Sequence, residues 1–127
     1  MNNTAISVIK VKDTLLVTMP PDPDDSTIAA LQERVLDSMD RHLAKGLILD
    51  ISEVETLDSF FARTVTETAQ MVMLMGGRTI IVGMRPAVAM TATQMGLKLG
   101  KIETALTVDR ALDAIEGRPK PSEASHR

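Results

Sequence analysis

The side chains with chemistry to offer gather in one short run, Val54-Glu55-Thr56-Leu57-Asp58-Ser59-Phe60-Phe61-Ala62-Arg63. It holds carboxylates, two hydroxyls, a guanidinium and both aromatic residues of the chain. An amphipathic helical pattern starts just after it, and Asp and Ser are residue types that cap such a start. The simplest expectation is that Asp58 or Ser59 is that cap. A hydroxyl in a first helical turn is also well placed to carry a phosphoryl group. Free backbone N–H groups and the positive end of the helix dipole would hold the anion there. Arg63 lies four residues on, on the same helical face, and can pair with it. Phe61 belongs to the inward stripe, whereas Phe60 is rotated off it toward a surface a partner protein could use. A phosphoryl group brings about −1.5 to −2 charges. Beside an apolar contact and next to Asp58, it would oppose docking without unfolding the domain. Ser59 is therefore a candidate phosphorylation switch, with Asp58, Phe60 and Arg63 as candidate partner-binding residues.

Other chemistry is thinner. Asp50 follows an apolar strand pattern, and ligand sites of parallel sheets gather at strand C-termini. Asp50, with Glu53 and Asp58 nearby, could serve a phosphotransfer receiver. Such a receiver also wants paired acids after its first strand and a late lysine at a strand end. Here those places hold Lys12-Asp13 and Gly83-Met84-Arg85-Pro86. The bland reading makes Asp50 a loop residue and Asp58 a cap. Gly76-Gly77-Arg78-Thr79 lacks the Lys-Ser/Thr of a phosphate-binding loop. His42 and His126 are far apart, with no paired-histidine spacing for zinc. No catalytic residue, cofactor or metal is expected.

Composition narrows the class. The chain has 127 residues, a formal charge of −3 and no cysteine. Disulfides and thiolate chemistry are thereby excluded. The lack of a basic block speaks against nucleic acid as partner. No apolar run approaches the ~18 residues that span a bilayer. The N-terminal segment does not read as a signal peptide. A cytoplasmic domain, with no membrane partner, is the expectation.

The elements that must position Ser59 follow from periodicity. Ser7–Val11 and Thr14–Met19 read as short strands joined at Lys12-Asp13. Ile28, Leu31, Val35, Met39 and Leu43 recur at steps of 3, 4, 4 and 4, the stripe of a helix over 24–44 that Gly46 stops. Leu47-Ile48-Leu49 is apolar on consecutive residues, as in a strand covered on both faces. A second helix over 57–75 carries the stripe Phe61, Val65, Ala69 and Val72, and ends at Gly76-Gly77. Its last turns hold Met71, Met73, Leu74 and Met75. Consecutive helical positions diverge by 100°, so these four cannot all face the sheet, and apolar surface should remain. Strand 79–82 follows, then a helix from Pro86 at N1 to Met95 with Gly96 as stop. A short strand in Glu103–Val108 and a helix over 109–115 closed by Gly117 complete the pattern. The predicted fold is α/β, a mixed sheet of four to five strands with parallel core strands and about four helices, ordered β-β-α-β-α-β-α-β-α. Residues 1–117 form one domain, and the polar tail 118–127 reads as disordered.

The stretch from Leu57 to Gly96 resembles the STAS domains of the bacterial stressosome, and among them the small antagonist of the RsbS type. The likeness extends over nearly the whole chain to about residue 117. Its most specific parts are Asp58-Ser59-Phe60, Leu74-Met75-Gly76 and Arg85-Pro86-Ala87-Val88-Ala89. The resemblance implies a non-enzymatic scaffold and switch protein that associates with larger STAS-containing sensor subunits as an oligomer. It implies that a serine/threonine kinase is held on the assembly and released when it phosphorylates Ser59, with a phosphatase reversing the step. Sensor subunits carry an extra N-terminal domain, for which this chain leaves no room, so the small antagonist fits better. They also carry threonine phosphosites; Thr91 and Thr93 lie nearby without an assigned role. A free anti-sigma-factor antagonist of the same fold is the alternative, and a receiver using Asp50 a more distant one. The extension Arg118–Arg127 departs from the pattern.

Overall fold

The structure is a computed structural model that describes residues 6–95 and 102–117. The elements run β1 (Ser7–Val11), β2 (Thr14–Thr18), α1 (Asp25–His42), β3 (Gly46–Asp50), α2 (Ser59–Leu74), β4 (Arg78–Val82), α3 (Pro86–Gln94), β5 (Glu103–Ala105) and α4 (Val108–Glu116). Among the described residues they form one five-stranded sheet in the order β1-β2-β3-β4-β5. β1 pairs antiparallel with β2, and every later pair is parallel. The α/β order expected from the pattern is the order found.

Strand side chains alternate between faces, and the sheet register shows the result. Leu15, Leu47 and Thr79 lie side by side, as do Val17, Leu49 and Ile81. Apart from Thr79, these join the main core with the buried stripes of α1, α2 and α3. Leu16, Ile48 and Ile80 point the other way and meet α4. The apolar runs of β3 and β4 are thus explained by cover on both faces. Each buried aliphatic side chain contributes about 1.5–3 kcal/mol. β1 is an edge strand on which Lys10 is exposed, a charge that discourages further strand addition. Its hairpin closes over Lys12, which takes a left-handed φ of 55° although it is not glycine.

Two expectations about the end of α1 are corrected. Leu43 is not a fifth member of the inward stripe. The helix ends at His42, and Leu43 turns left-handed at φ 50° while its N–H bonds the Met39 carbonyl. That turn throws its side chain outward, leaving it 82% exposed. Nor is Gly46 the stop of α1. It opens β3 and is buried, and a Cβ there would lie 2.5 Å from Ile115 of α4. It is glycine so that α4 can pass. Met19 lies just beyond β2, though still buried, and Asp50 ends β3 rather than sitting in the loop. The proposed stop at Gly96, His126 and the tail 118–127 lie outside the described residues.

Candidate functional site

The segment between β3 and α2 crosses the C-terminal edge of the sheet. Val54 and Leu57 anchor it in the core. Asp58 then takes an extended conformation and caps α2, its Oδ1 accepting from the Phe61 N–H at 2.8 Å. Its carbonyl accepts from the Ala62 N–H. Of the first-turn donors, this leaves the N–H groups of Ser59 and Phe60. Ser59 is thus the first helical residue, and it is exposed.

Phe61 and Phe60 divide as the periodicity requires, with one qualification. Phe61 is buried in the main core. Phe60 is off the stripe but only half exposed, because its ring packs on the edge of that core. The Arg63 guanidinium lies 5.8 Å from the ring centroid, within cation–π range. Phe60 is therefore a partly covered surface residue rather than a free one. Ser59, Arg63, Glu67, Gln70 and Leu74 recur at steps of 4, 4, 3 and 4, and all are exposed. They form the outward stripe of α2, ~22 Å long at 1.5 Å per residue. Its far end carries Met71, Met73, Leu74 and Met75, all exposed, as the crowding of these residues predicted.

The Ser59 end is acidic. The β2–α1 and β3–α2 loops run side by side, tied by the Glu55 N–H to the Pro21 carbonyl at 3.1 Å. Asp22, Asp24, Asp25, Glu53, Glu55 and Asp58 are exposed along them. Asp24 caps α1, and hydrogen bonds, first from the Thr27 side chain and backbone and then from Ser26, hold its carboxyl below the usual range.

Asp50 and Asp58 are each engaged in a local backbone contact. The Asp50 carboxylate accepts from the Ser52 N–H at 2.9 Å, a local turn contact. No group of three His, Cys, Asp or Glu side chains suited to a metal occurs among the described residues. Thr91 and Thr93 bond back to carbonyls of their own helix, at Ala87 and Ala89. What sequence reasoning missed is the bracing of the loop itself. Arg85 Nε donates to the Ser52 carbonyl at 2.8 Å, and Gly83, at φ 77°, lets the β4–α3 turn lie against Ser52. A glycine directly after an apolar strand was the one available signal.

A family model of the STAS domain matches residues 5–111. The chain belongs to the STAS domain family. Within it, the chain is similar to RsbS. A serine-to-glutamate variant of RsbS from Moorella thermoacetica superposes with a TM-score of 0.80 at 32% identity, covering 88% of this chain and 95% of that one. A chain from a structure of the stressosome, described as a signal integration and transduction hub, gives 0.75 at 32%, covering 87% and 96%. The anti-sigma factor antagonist SpoIIAA, unphosphorylated, gives 0.76 at 18%, covering 91% and 100%, a likeness of fold alone. The RsbT co-antagonist protein RsbRD of Bacillus subtilis is 26% identical over 113 residues, 88% of this chain and 41% of the relative. RsbRA of the same organism is 24% identical over 89 residues, 70% and 32%. The chain spans about a third to two fifths of the length of these co-antagonists. No helix among the described residues is long and apolar enough to cross a membrane.

Proposed function

We propose that this chain is a non-enzymatic stressosome antagonist. It holds a serine/threonine kinase in the cytoplasm and releases it when Ser59 is phosphorylated, with a phosphatase restoring the bound state. The observation that carries this reading is the placement of Ser59. It is exposed as the first residue of α2, directly after a cap that occupies Asp58, on a loop otherwise anchored by buried Val54 and Leu57. A phosphoryl group fits there without disturbing the core. It would add charge to a surface already lined with carboxylates, and like charges facing a docked partner weaken association. Phe60 and Arg63 flank the site as contact residues. The apolar end of α2 supports assembly with other STAS domains, as the likeness to a stressosome chain suggests, because exposed apolar clusters favour protein contacts.

Incubation with the cognate kinase and ATP, followed by peptide mapping, tests the switch. The expected result is phosphate on Ser59; phosphate confined to other residues refutes the assignment. The alternative is a free anti-sigma-factor antagonist of the same fold. Mixing with STAS sensor subunits separates the two, since only the stressosome reading gives a large species on a sizing column. A receiver using Asp50 would yield an acyl phosphate, which mild base hydrolyses far faster than phosphoserine.

A further inference from the structure

The switch as described leaves the Arg85-Pro86 step without a role. Arg85 is the N-cap residue of α3, yet its side chain makes no capping bond. Its Nε reaches instead to the Ser52 carbonyl, 33 residues back in the chain. We propose that Arg85 is a positioning residue that holds the β3–α2 loop in the arrangement that presents Ser59. The proposal rests on the reading of Ser59 as the switch and adds the means by which its loop is ordered.

The loop is braced from two sides. On one side, the Glu55 N–H bonds the Pro21 carbonyl of the β2–α1 loop. On the other, the Ile51 N–H bonds the Val82 carbonyl at 3.0 Å, and Arg85 takes the next carbonyl, that of Ser52. Ser52 and Glu53 are exposed and contribute no buried side chain. Among the described residues, Arg85 is the side chain that ties this turn to a neighbouring element. The donor is a guanidinium, so the bond is charge-assisted. The Gly83 turn sets the approach, since a Cβ there would lie 2.7 Å from the Ser52 Cβ. Loss of the Arg85 bond would loosen this turn, from which the chain heads toward Val54 and on to Ser59. A kinase that engages only the presented arrangement would then meet a smaller competent fraction, and apparent affinity falls by that fraction.

Two measurements on the full chain test this. Amide exchange is compared among wild type, Arg85→Ala and Arg85→Lys. The alanine variant is expected to speed exchange at Ser52, Val54 and Glu55 about tenfold, the scale of one charge-assisted hydrogen bond. Lysine, which can still donate, should restore part of the protection, and β3 and β4 amides should not change. Unchanged loop exchange, or equal acceleration in the core strands, overturns the proposal. In steady-state phosphorylation of Ser59, Arg85→Ala should raise KM severalfold at unchanged kcat; a loss confined to kcat overturns it. If wild-type protein takes no phosphate at Ser59, the switch reading fails, while exchange still decides whether Arg85 orders the loop.

Discussion

Asp58 and Ser59 are neighbours with opposite tasks. Asp58 is committed to the helix through its bond to the Phe61 N–H, and Ser59 is left exposed. The sequence offered both as caps and could not choose, because the choice depends on where the chain turns from extended to helical. The Asp58→Ala variant should lose about 1 kcal/mol of stability, the usual cost of a lost cap, as read from urea unfolding. Phe60 shows a limit of periodicity. Its position off the stripe was legible, but its half-burial depends on the core edge beside it and on Arg63 above it. Thr79 is a residue no pattern would single out. It is buried in β4, and its hydroxyl has no hydrogen-bond partner among the described residues. Thr79→Val keeps the shape and removes an unsatisfied group, so stability should rise by about 1 kcal/mol. A fall in the denaturation midpoint would contradict that account.

Most elements could be read before the fold was seen, because their causes are local. The stripes of α1 and α2, the double-sided burial of β3 and β4, Pro86 at N1 and Gly117 after α4 follow from spacing and backbone preference. The error at Leu43 comes from a local left-handed turn, and the error at Gly46 from contact with a distant element. Gly46 follows a helix and resembles a stop, yet its lack of a side chain answers to Ile115 some seventy positions away in sequence. Gly46→Ala should cost about 1–3 kcal/mol through overpacking, measured by chemical denaturation, with α4 the element displaced. The start of α1 carries a pH dependence. The Asp24 carboxyl is held below its ordinary value of 3.8 in the fold, first by the Thr27 bonds. A depressed folded value means the contribution is complete above 3.8 and fades as pH falls below it. Asp24→Asn retains a cap that does not titrate. Its stability should therefore fall less than that of wild type on acidification below that point, as followed by thermal unfolding across pH.

At the scale of the molecule, the described residues separate three features. The sheet and its two cores fix the frame, and β4 is tied to β5 and α4 by Arg78. Its Nε bonds Glu103 at 2.9 Å and its Nη1 bonds the Ala114 carbonyl at 2.7 Å. The C-terminal edge of the sheet presents Ser59 among carboxylates, and the far end of α2 presents an exposed Met-Leu-Met cluster. A charge added at the first end can change docking without reaching the core, because Ser59 lies outside it. The most direct test is the affinity of the kinase for unmodified protein and for protein carrying phosphoserine at position 59, with the thermal midpoint of each measured alongside. The account predicts at least ~tenfold weaker binding of the modified form, about 1.4 kcal/mol, at an unchanged midpoint. Equal affinity, or a loss of affinity that comes with loss of the folded state, would contradict it.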